Sequence, residues 1–117
     1  MTKWLADPED HDFDAARDYL SLLGMPGQQI ADVFRKAETL DGYKAKDILR
    51  ASGLPVLDDD NKHVKKDLNK IDDGEPLSPV LLVSGQPLII ADGYHRVCAV
   101  YWDDEDAVIP CRMVDMK

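Results

Sequence analysis

Cysteine is scarce in this 117-residue chain, and Lys and Arg are outnumbered by Asp and Glu. The two cysteines, Cys98 and Cys111, stand apart, with no Cys-x-x-Cys or mixed Cys/His spacing around them. That excludes a disulfide framework and a zinc site and leaves both thiols as small buried hydrophobes. No apolar run approaches the ~20 residues needed to cross a bilayer, so no membrane partner is expected. The opening Met1-Thr2-Lys3-Trp4-Leu5-Ala6-Asp7 turns acidic too early for a secretory signal, and a soluble, cytoplasmic protein is expected. Fourteen basic against 23 acidic residues give a formal net charge of −9. Nucleic-acid affinity comes from Lys and Arg neutralising phosphates, so direct binding to DNA or RNA is not expected. A small anion is different, because it needs only one local electropositive pocket.

What is present suits a folded domain. Apolar residues make up 44% of the chain, enough for one proper core at this length. Residues 1–53 read as a helical N-terminal part. Phe13, Ala16, Tyr19, Leu20 and Leu23 recur at helical spacing, with Gly24 as a stop. Pro26 opens a second helix, whose stripe runs through Ile30, Val33, Phe34, Ala37 and Leu40 and ends at Gly42. A short third helix, Lys44 to Ser52, stops at Gly53. Its cations Lys44, Lys46 and Arg50 suit a solvated face, though Lys46 is also an accessory candidate for a phosphate.

Residues 54–117 have another character. Asp60 or Asn61 can cap a fourth helix built on Val64, Leu68 and Ile71, with Gly74 as its stop. The triplet Asp58-Asp59-Asp60 reads as solvated capping residues, His63 as an exposed neighbour, and Trp4 and Trp102 as packing or partner contacts. Val80-Leu81-Leu82-Val83 and Leu88-Ile89-Ile90-Ala91 flank Ser84-Gly85-Gln86-Pro87, a hairpin signature. A further helix carries Tyr94, Val97, Cys98 and Tyr101, and Ile109, Cys111 and Met113 alternate as a last strand. The expected class is α/β (α+β): a single domain with a small mixed sheet, covered on one side by helices.

The segment with chemistry is Asp92-Gly93-Tyr94-His95-Arg96. A strand that enters a helix through Asp-Gly presents unpaired backbone N–H groups and the positive end of the helix dipole. Gly93 permits close backbone approach, and His95 and Arg96 add side-chain donors, the guanidinium being suited to phosphate oxygens. The same residues also have a plain structural reading. Asp92 is a good N-cap, Gly93 a turn residue, and Arg96 a partner for a carboxylate.

The run from Leu77 to Val83, followed by Leu88 to Ala99, resembles the ParB/sulfiredoxin superfamily, with its P-[IV]-x-V strand and G-x-[HR]-R helix start. Ile109-Pro110-Cys111 is similar to the family's closing strand, and Val64 to Pro79 to its lead-in. The resemblance covers about the last half of the chain. It implies nucleotide binding, ATP/ADP or CTP with Mg2+, with Gly93, Tyr94, His95 and Arg96 at the phosphates. Asp92 becomes a metal-proximal or catalytic carboxylate, since relatives with this box phosphorylate free serine. The departures are informative. Tyr94 stands where sulfiredoxins carry their catalytic Cys, so that activity is not expected, and the helix-turn-helix of ParB proteins has no counterpart before Lys117. Phosphoryl transfer or nucleotide hydrolysis is one expectation. The alternative is an acidic interaction or regulatory protein without turnover, acting through a protein partner; a homodimer stays open.

Overall fold

The computed structural model describes residues 1–115. Five helices and four strands follow in the order α1 (Asp10–Leu22), α2 (Gly27–Lys36), β1 (Leu40–Lys44), α3 (Ala45–Ser52), α4 (Lys62–Asp72), β2 (Val80–Ser84), β3 (Ile89–Asp92), α5 (Tyr94–Asp103) and β4 (Val108–Asp115). The strands form one sheet in the order β1-β4-β2-β3. The β2–β3 hairpin and the β1–β4 pair are antiparallel, whereas β2 and β4 run parallel, with α5 in the crossover between them. No helix among the described residues is long and apolar enough to cross a membrane.

Helices cover both faces of the sheet, not one. The apolar run Val80-Leu81-Leu82-Val83 is buried at every position. Val80 and Leu82 pack with Ile48, Val64, Val97, Ile109 and Cys111 beneath α3, α4 and α5. Leu81 and Val83 face the other way and pack with Phe13, Leu20, Ile30, Phe34 and Val114 beneath α1 and α2. An uninterrupted run rather than an alternating one is the mark of a strand buried on both sides. Both cysteines are free and buried, and burial raises the thiol pKa of Cys111 to about 11.

The second helix is shorter than its apolar stripe. It stops at Lys36, and Ala37 is already extended, so Leu40 and Gly42 lie in an edge strand that sequence periodicity reads as helix. Two contacts explain the stop. Arg112, 7% exposed in β4, donates from Nη1 to the carbonyls of Phe34 at 3.0 Å and Arg35 at 3.1 Å, capping the end of α2. Gly42 then sits against β4 with φ +101°, where any Cβ would overlap the Ile109 carbonyl. It is a close-approach glycine in a bulged strand, not a helix stop. The N-terminal part is thus helical apart from β1, and residues 1–53 and 54–117 share one sheet.

Asn61 caps α4, its side chain accepting from the N–H groups of His63 at 3.0 Å and Val64 at 3.2 Å. Loop 53–61 is tied to α5 by the Tyr94 hydroxyl, which donates to the Pro55 carbonyl, and by the Trp102 indole, which donates to the Leu57 carbonyl.

Candidate functional site

Strand β3 ends at Asp92, the chain turns at Gly93, and α5 begins at Tyr94. Gly93 holds φ +107°, and a Cβ there would meet Val80 Cγ1 at 2.6 Å and Arg96 Nη2 at 2.9 Å. Only glycine makes this turn without displacing the strand or the guanidinium. The first α-helical bond runs from the Val97 N–H to the Gly93 carbonyl, and no side chain caps the helix. Asp92 is therefore not the N-cap. Its carboxylate points instead to Arg96, whose Nη2 donates to Oδ2 at 2.8 Å.

The N-terminal turns of α5 and one face of α4 enclose a polar cleft of about 200 Å³. His63, Lys66, Asp67, Lys70, Asp92, Gly93, His95 and Arg96 line it. In an acidic chain, this cleft gathers two of the three histidines and three of the fourteen Lys and Arg residues. The His63 and His95 rings face each other with centroids 4.8 Å apart. Of the residues expected from sequence, Asp92, Gly93, His95 and Arg96 meet here. Tyr94 does not line the cleft; its ring lies beside that of His95, with centroids 5.8 Å apart, and it lines a neighbouring depression of about 340 Å³ with Ala15, Tyr19, Leu54 and Ile90. Lys46 does not line the cleft, and its ammonium sits on Asp106 at 2.6 Å.

Five residues were not expected at the site from sequence: His63, expected only as an exposed neighbour, with Lys66, Asp67 and Lys70 on α4, and Asp12 on α1. His63, Lys66 and Lys70 lie three and four residues apart on α4, so helical spacing puts them on one face. That polar stripe was legible, but nothing in sequence said that it opposes the start of α5. Asp12 is buried on α1 at 2% exposure. Its Oδ2 accepts the Glu9 N–H at 2.9 Å and its Oδ1 lies 3.7 Å from Arg96 Nη1. Arg96 is thus flanked by two carboxylates, while its Nε is buried without an acceptor among the described residues.

Burial dominates the acid–base behaviour. It raises the Asp92 pKa to about 6; Arg96 pulls it down and the nearby Asp12 pushes it further up. Asp67 is also raised by burial, against the attraction of Arg96 and Lys70. His95 is lowered, first by burial and then by the facing His63. Among the described residues, no group of three His, Cys, Asp or Glu side chains is placed to hold a metal ion. None of the protein-family models, curated proteins or solved structures compared with the chain matches it.

Proposed function

We propose that this chain binds a phosphate-bearing ligand, a nucleotide of the ATP/ADP or CTP kind, at the cleft where β3 meets α5. One observation carries the reading: an acidic chain gathers His63, Lys66, Lys70, His95 and Arg96 around the uncapped start of a helix. Open N–H groups and the dipole favour an anion there, and the side chains add charge and donors. The resemblance to the ParB/sulfiredoxin superfamily belongs to the same proposal, because its G-x-[HR]-R box falls on Gly93 to Arg96. The depression beyond Tyr94 offers room for the rest of a nucleotide.

A metal site made by the protein alone does not fit these residues. Mg2+ would have to arrive on the phosphates of the ligand, since no cluster of acceptors among the described residues is placed to hold it alone. Such an ion would neutralise phosphate charge. If phosphoryl transfer or hydrolysis follows, Asp92 is the residue suited to accept a proton, since its pKa of about 6 lies near neutrality. The pairing of Arg96 with Asp12 and Asp92 favours a second reading, an interaction or regulatory protein without turnover.

A thermal-shift panel of ATP, ADP, CTP, GTP and inorganic phosphate, with and without Mg2+, tests the proposal. A ligand at about one hundred times its dissociation constant adds roughly 2.7 kcal/mol. In a domain of this size the melting point should rise on the order of ten degrees. Lys66→Ala with Lys70→Ala should remove most of that rise and leave the ligand-free melting point nearly unchanged, since these side chains reach into the cleft and not the core. Absence of any shift, confirmed by calorimetry, would transfer support to the interaction-protein reading.

A further inference from the structure

In one corner of the cleft, around Arg96, the charges do not balance. Asp12 on α1, Asp92 at the end of β3 and Arg96 on α5 converge on a single guanidinium, with N–O distances of 3.7 Å to Asp12 and 2.8 Å to Asp92. Their side chains are 2%, 16% and 17% exposed, in the order Asp12, Asp92, Arg96. With both acids ionised, the group carries one negative charge in excess beside the space an anion would fill. Poorly hydrated like charges repel strongly, so an incoming anion would be opposed there. A proton on one carboxyl removes the opposition. Asp92 is the acid able to take it, because it lines the cleft. Asp12 is sealed beneath α1 and held by the Glu9 N–H.

We infer that anion binding in this cleft is coupled to proton uptake by the Asp12–Arg96–Asp92 group, so that the ligand is held more tightly as pH falls. The inference rests on the anion-site reading above and adds its regulation. The other charged groups around the triad are placed to reinforce the coupling or leave it unchanged. His95 on α5, with His63 and Asp67 on α4, lines the same cleft, and a proton on any of them makes it more positive. Lys66 and Lys70 on α4 line it as well. On α1, His11 and Glu9 lie at the outer side of Asp12, with His11 Nε2 at 3.4 Å from Asp12 Oδ1 and His11 Nδ1 at 3.3 Å from Glu9 Oε2. The weakened acidity of Asp92 agrees with this geometry, because burial and Asp12 outweigh the attraction of Arg96.

Sulfate is the probe, because its own charge does not change in the working range. The full chain is titrated with sodium sulfate by calorimetry at several values between about pH 6 and 8, in two buffers of different ionisation enthalpy. Where the heat is too small, protection against thermal unfolding is read over the same range. The expected result is net proton uptake, with affinity falling by up to about tenfold per pH unit as pH rises, the limit for one coupled proton. Asp92→Asn should flatten most of that dependence, and His63→Asn with His95→Asn should retain most of it. The inference fails if wild-type binding takes up no proton and is flat with pH. It also fails if Asp92→Asn keeps the wild-type slope or the histidine pair variant loses it. Should Asp92→Asn not fold, the two-buffer titration of the wild type and of the histidine variant still decides. Binding without proton uptake removes this inference alone; no binding of sulfate, phosphate or nucleotide at any pH removes the anion site with it.

Discussion

Asp92 shows how far one residue's role depends on its surroundings. From sequence it reads equally well as a helix cap or as a metal-proximal carboxylate. In the fold it is neither cap nor free acid, but a buried partner of Arg96 with a second carboxylate behind it. This has a consequence for stability. An acid whose folded pKa lies above its ordinary 3.8 binds its proton more tightly in the native state. Its contribution is therefore full below about pH 4 and is lost as pH rises through about 6. Asn cannot ionise, so urea unfolding should show Asp92→Asn gaining on the wild type between those limits, by on the order of 1–3 kcal/mol. Parallel stability curves for the two proteins would show that the burial of this charge is not felt. Arg96, for its part, is a structural cation as well as a candidate ligand contact, so its removal is a poor test of binding alone.

At the scale of elements, the end of α2 is decided from a distance. The apolar spacing that runs past Lys36 to Leu40 gives no internal reason for the helix to stop. Arg112 supplies one from β4, by bonding the last carbonyls of α2, together with the Thr39 hydroxyl at 3.1 Å and Asp7 at 2.8 Å. Deleting a buried cation with this many acceptors strands several of them at once. Arg112→Ala should lose about 2–4 kcal/mol in denaturant unfolding. Lys should recover little of it, because a single ammonium lacks the planar fork that reaches acceptors on two sides. A loss below about 0.5 kcal/mol, the size of an ordinary surface change, would mean that the capping bonds contribute nothing net.

For the whole molecule, the governing property is the contrast between overall charge and local charge. A net charge of −9 repels a polyanion over distances longer than any single contact, while the cleft between α4 and α5 presents cations at short range. A small anion can profit from the second without suffering much from the first. Short DNA duplexes should therefore form no defined complex at physiological salt, and weak retention at low salt should vanish on adding salt. A tight, sequence-selective gel shift by the isolated protein would overturn this expectation.

Most of the elements were legible in the chain, because helical periodicity, Gly24, Gly53 and Gly74 as stops, Asn61 as a cap and the hairpin around Gly85 are local signals. The Asp92 to Arg96 segment was legible for the same reason: a strand, a glycine turn and a helix start are neighbours in sequence. What sequence alone could not supply was everything created by approach. The unbroken run at Val80 to Val83 announced burial but not the two layers that bury it, and Gly42 looked like a stop until β4 came against it. Lys66 and Lys70 formed a polar stripe with no stated partner, and Asp12 lies at the far end of the chain from the guanidinium it faces. Local sequence sets backbone preferences and helix faces. Charge pairing, desolvation and the acidity of Asp92 depend on distances between elements, and only packing on both faces of one sheet fixed those.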